Sequence, residues 1–86
     1  MHWYKIIAED GKDDIDTHVG SSPDSPATMV EKAARGEYIV LSDLLYREDG
    51  RIKEWSEWDD TMLPVMYINP RTIIAIMEFK GDPREL

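Results

Sequence analysis

Asp49-Gly50 constrains this chain more than any other pair of residues in it. The dipeptide follows Glu37 to Glu48, a run rich in β-branched and aromatic residues, and precedes Arg51 to Trp55. A two-residue type I′ turn needs positive φ at both central positions, and Asp-Gly meets that need at little steric cost. A hairpin centred there sets a register in which Glu48 faces Arg51 and Leu44 faces Trp55. An opposite-charge pair and an aliphatic–aromatic pair are both favourable across antiparallel strands. The chain is therefore expected to be mainly β, with a bend in the first strand of the hairpin near Ser42-Asp43.

Three further segments carry strand patterns. In residues 2–9, Tyr4, Ile6 and Ala8 fall on one face, and Trp3, Lys5, Ile7 and Glu9 on the other. Val65 to Asn69 and Ile73 to Lys80 read as a closing pair, joined by a tight turn at Asn69-Pro70-Arg71-Thr72. In the last of these, Ile74 and Ile76 stand on the face opposite Ile73, Ala75, Met77 and Phe79. A half-exposed strand alternates more cleanly, so that face is expected to be covered, by the fold itself or by a second subunit. Residues 10–25, rich in Asp, Ser and Gly, are expected to form a loop, with at most a short strand over Thr17 to Val19.

One helix is expected. Ser25 suits its N-cap and Pro26 its first turn, Met29, Val30, Ala33 and Ala34 form an apolar stripe, and Gly36 ends it. Such a short helix must dock on something to persist.

Length and charge narrow the remaining choices. The 86 residues make a single domain, 1–86, and the absence of cysteine excludes disulfides and thiolate metal sites. No apolar run reaches the roughly 20 residues of a membrane span, and the N-terminus does not resemble a signal peptide, so a cytoplasmic protein is expected. The net charge is −8. Residues 9–16 hold five acids and one base, and residues 54–60 hold four acids and no base, which accounts for all of it. Such a surface repels phosphate backbones and anionic lipid.

No motif specifies a reaction. Only His2 and His18 offer a base at neutral pH, and neither lies near a serine in a recognisable elbow, so no enzyme is expected. Asp10, Asp13, Asp14 and Asp16, with His18 nearby, lack the glycine placement of a calcium loop, and neither a metal nor another cofactor is expected. The glycines beside Lys12 and Arg51 precede no phosphate-cradling helix, and the scattered bases form no nucleic-acid stripe.

The ending YINPRTIIAIMEF resembles the close of the SH3-like and Sm-like small barrels, where two strands meet at a one-turn connection. The resemblance implies a partly open barrel of about five strands with one short helix, filled in part by Ile68, Ile73 and Ile76. This chain departs from the RNA-binding members by its internal helix and its acidic balance. A sheet with the helix covering one face is the alternative.

The functional expectation is a protein–protein interaction or assembly module, through a partner protein or by self-association. Trp58, set among Glu57, Asp59 and Asp60, is its expected exposed anchor, and Ile74 and Ile76 are its expected spare apolar face. The alternative is an acidic inhibitor or nucleic-acid mimic that fills a basic groove.

Overall fold

A strand buried on alternate positions begins the fold. In the computed structural model, which describes residues 1–86, β1 (His2–Glu9) buries Tyr4, Ile6 and Ala8 on one face. It is paired on both sides, with β2 (Ile15–Ser22) and with β6 (Ile73–Glu78), both antiparallel. The loop expected over residues 10–25 is thus corrected: all eight residues of β2 pair with β1. Its sequence, IDTHVGSS, shows little apolar alternation because its first half faces solvent and its last three residues are buried without large side chains.

Those small residues let the next strand approach. β3 (Ile39–Glu48) pairs with β2 through Val19↔Leu45 and Ser21↔Ser42, with an irregularity between. At that point Asp43 takes φ +48, the bend expected near Ser42-Asp43, and its Oδ2 accepts a 2.7 Å hydrogen bond from the buried Ser21 hydroxyl. A Cβ on Gly20 would stand 2.7 Å from the Ser42 carbonyl oxygen and 3.0 Å from Leu41 Cβ.

α1 (Pro26–Ala34) lies between β2 and β3. The Ser25 hydroxyl accepts from the Thr28 N–H at 3.3 Å. At the other end Gly36, at φ +79, closes a Schellman motif: its N–H donates to the Ala33 carbonyl and the Glu37 N–H to the Lys32 carbonyl. Met29 is the helix residue driven into the core.

The hairpin forms as expected, with Asp49 at φ +52, Gly50 at φ +77 and Glu48 opposite Arg51. β4 (Arg51–Glu54) ends one residue before Trp55, so the Leu44–Trp55 pair is replaced by a one-turn helix, α2 (Trp55–Trp58). β5 (Met66–Ile68) then takes up β3 where β4 left it, pairing with Ile39 to Leu41. A 3₁₀ turn over Pro70–Thr72, with Asn69 Oδ1 accepting from the Arg71 N–H, leads into β6.

The result is one antiparallel sheet of six strands in the order β4-β3-β2-β1-β6, with β5 on β3. The sheet is not closed, because β5 and β6 pair with different strands. The expected count of strands and helices is exceeded by one each, through β2 and α2. The core joins Tyr4, Ile6, Ala8, Met29, Ile39, Leu41, Leu44 and Ile68, with Ile73 and Ile76 packed against it. Each large apolar side chain fully buried there contributes roughly 1.5–3 kcal/mol.

The face expected to hold Ile74 and Ile76 together is corrected. Ile6 pairs with Ile76, Ile7 with Ala75 and Ala8 with Ile73, so Ile74 is the extra residue of a bulge. The bulge turns Ile73 and Ile76 toward one side, against the core, and leaves Ile74 53% exposed.

The other face of the sheet has cover of its own. Trp3 and Leu45 are buried there, outside the main cluster. The chain after β6 folds back onto this face. The Phe79 N–H donates to the Trp3 carbonyl at 2.8 Å, Pro83 is buried, and the Arg84 guanidinium lies 4.9 Å from the centre of a Trp3 ring. Arg84 also reaches Glu54 of β4 at 2.5 Å and Asp82 at 2.6 Å.

Candidate protein-docking site

Between Glu54, opposite Leu45, and Met66, opposite Leu41, the chain leaves the edge of β3 for the eleven residues 55–65 and then returns. The Leu44 N–H donates to the Pro64 carbonyl at 3.2 Å and pins the root of this excursion. The Glu54 N–H donates to Glu57 Oε2 at 2.8 Å, which starts α2. The Asp59 N–H reaches the Trp55 carbonyl, and Asp59 Oδ1 then accepts from both the N–H and the hydroxyl of Thr61, closing the turn.

One helical turn places Trp55 and Trp58 on the same side, three residues apart. Their rings lie 4.9 Å apart between centroids, and Tyr46 meets Trp55 edge-on at 6.2 Å. The two indoles would point to opposite faces in a continued strand; the helix brings them together instead. Trp55 packs against the core, while Trp58 stands 64% exposed at the outer end of the row. Met62 and Leu63, on the same excursion, are 62% and 82% exposed. Nothing in the sequence marked Met62 and Leu63 as part of the site. They follow an acidic run, and only the return of the chain to β3 brings them onto the same projecting segment.

The electrostatics of the segment are simpler than the sequence suggests. Arg84 takes Glu54 into an ion pair, so three of the four acids remain without a Lys or Arg within 4 Å: Glu57, Asp59 and Asp60. The Thr61 hydroxyl, and next its N–H, hold the Asp59 carboxyl below its ordinary value, so its charge is secure at neutral pH. Tyr46 is shifted upward, first by burial and then by Glu48, and stays a neutral phenol.

The other expected site residues do not join this one. Ile74 and Ile76 belong to β6, which pairs with β1. His2, opposite Ser22, has Nδ1 2.6 Å from Glu78 Oε2, while His18 pairs with Ile6. Four strand residues, about 13 Å, separate the two imidazoles' positions along the β1–β2 ladder, so they share no site. No three carboxylate or imidazole groups are placed to share a cation, and Asp10 is engaged with the Lys12 N–H at 2.8 Å. No helix is long and apolar enough to cross a membrane.

A cleft of about 490 Å³ adjoins the inner end of the aromatic row, bordered by Tyr46 and Trp55 and, among others, by Lys5, Val19, Leu45, Arg47 and Phe79. Comparison of the chain with family models, with curated proteins and with solved structures found no match.

Proposed function

We propose that this chain is a protein-binding module whose docking element is the excursion 55–65. Its partner is a protein with an apolar groove rimmed by lysine and arginine. The observation that carries the reading is Trp58, an exposed indole held by Trp55 and flanked by the unpaired carboxylates of Glu57, Asp59 and Asp60. Indoles are enriched among the few residues that dominate binding energy, because they bury a large area while ordering only two torsions. Contact with the tilted Trp55 ring orders those torsions in advance. The three charges steer a basic partner and repel an acidic one.

This reading keeps the basic partner of an acidic inhibitor but makes the indole the anchor and the carboxylates the rim. Self-association through β6 loses its support with the bulge at Ile74, since Ile76 is committed to the core.

The test is capture of partners by the immobilised domain, identification by mass spectrometry, and reconstitution with the purified partner. Trp58→Ala is expected to weaken the reconstituted complex about thirtyfold, the equivalent of a hot spot of roughly 2 kcal/mol. Glu57→Gln with Asp59→Asn and Asp60→Asn is expected to slow association and flatten its salt dependence. A partner bound equally well by wild type and Trp58→Ala refutes the assignment.

A further inference from the structure

The cleft of about 490 Å³ has a composition at odds with the rest of the molecule. Acidic residues make up 18 of 86, so two or three would be expected among any twelve, yet none of its twelve lining residues is Asp or Glu. Lys5 and Arg47 both line it, and neither has a carboxylate within 4 Å. Eight of the twelve lining residues are hydrophobic, and they come from both sides of the sheet: Leu44, Trp55 and Met66 belong to the core side, Val19 and Leu45 to the other.

The sheet register explains how the two bases come to bracket apolar surface. Lys5 pairs with Val19 and Val19 with Leu45, so the three form one row across β1, β2 and β3 on the same face. Arg47 lies two residues beyond Leu45 on that face, opposite Ile52 of β4. Lys5 and Leu45 are thus two strand spacings apart, about 9.5 Å, with Arg47 one side-chain repeat further along. Phe79 stands on the same face where the chain leaves β6. Pockets for small molecules fall at roughly 300–1,000 Å³ and combine apolar walls with a few polar groups that fix orientation.

We propose that this cleft binds a small single-chain amphipathic anion, its apolar body against Val19, Leu45, Ile52 and Phe79 and its anionic head held by Lys5 and Arg47. The ligand is taken from solution. An anionic bilayer would have to approach the whole molecule, whose net charge of −8 repels it, whereas a single bound anion lies within a Debye length, about 8 Å, of the two bases.

Decanoate below its micellar concentration is the probe, followed by isothermal titration calorimetry and by amide chemical shifts. The expected result is saturable 1:1 binding with shifts centred on Val19, Leu45 and Phe79. Lys5→Gln and Arg47→Gln are each expected to weaken it at least fivefold, and decyltrimethylammonium, with the opposite head charge, at least tenfold. Arg51→Gln, which removes a base outside the cleft, is expected to leave it unchanged. Each variant is checked for an unaltered fold by circular dichroism. Binding that is non-saturable, indifferent to head charge, or equal in Lys5→Gln, Arg47→Gln and Arg51→Gln overturns the proposal. So does sedimentation with phosphatidylglycerol vesicles without decanoate binding, since that would make the surface a membrane contact.

Discussion

Gly20→Ala adds one methyl group where β2 and β3 pass closest, and its cost can be worked from the distances around it. The new Cβ would lie 2.7 Å from the Ser42 carbonyl oxygen, 3.0 Å from Leu41 Cβ and 3.3 Å from Leu44 Cδ2. The nearest atom is backbone, so no rotamer change relieves the clash; β3 itself must move at the point where Ser21 and Asp43 bond across the two strands. Overpacking of this kind costs about 1–3 kcal/mol. Against it stands the smaller conformational entropy lost by alanine, about 0.5–1 kcal/mol in a strand. A contact of 2.7 Å with a backbone atom puts the overpacking in the upper part of that range, about 2–3 kcal/mol, so the net loss is about 1–2.5 kcal/mol, and for a domain of this size each kcal/mol lowers the Tm by about 4–8 °C. Thermal and urea unfolding followed by far-UV circular dichroism measure it, with Gly81→Ala as the control. Gly81 has open space where a Cβ would stand and no positive φ, so its variant should match the parent. A Gly20→Ala protein within about 0.5 kcal/mol of wild type, the usual scatter of surface substitutions, would refute the close-approach argument.

Other perturbations test other parts of the fold. Gly50→Val places a β-branched residue at φ +77 and should cost about 1–3 kcal/mol in chemical unfolding. Ile76→Ala should cost about 1–2 kcal/mol, below the range for fully buried isoleucine because the side chain is partly exposed, while Ile74→Ala should stay within about 0.5 kcal/mol. Equal losses at the two positions would contradict the bulge. The Arg84 side chain hydrogen-bonds the Asp82 carboxyl and lowers its pKa below the ordinary value, so its contribution is present above the unfolded carboxyl's pKa of about 3.9. It is lost as pH falls through the lower folded value. Asp82→Asn should therefore lower stability at pH 6 and narrow the gap to wild type in strong acid, as read from Tm against pH.

What was legible in the sequence was fixed by local backbone chemistry. Asp49-Gly50 needed only positive φ, Ser25-Pro26 and Gly36 only the orphan groups of a helix, and Asn69-Pro70 only a fixed φ and a side-chain acceptor. What escaped depended on distant partners. β2 reads as a loop because its buried half is Gly20, Ser21 and Ser22, whose small size matters only against Leu41 and Ser42. The bulge at Ile74 is set by β1, and Ile76 is recognisable as core only once it stands beside Ile6. At the docking site, Trp58 and its three acids were visible as a composition, but the turn that brings Trp58 against Trp55 was not. Strand alternation predicted the opposite arrangement, and a single helical turn has too few residues to show a period.

The pairing of β1 with β6 also sets an order for assembly. Ile6 and Ile76 are 70 positions apart, whereas Glu9 and Ile15, which close the β1–β2 hairpin, are 6 apart. Loop-closure entropy grows as 1.5RT times the logarithm of loop length, so the longer closure costs about 2 kcal/mol more. Closure entropy therefore favours formation of the β1–β2 and β3–β4 hairpins before β6 docks on β1. During synthesis on a ribosome, β1 waits with one edge unpaired until β6 has emerged. Through that interval the row Tyr4, Ile6 and Ala8 lacks its final cover, and a nascent chain held at that stage is the form most exposed to strand-to-strand aggregation.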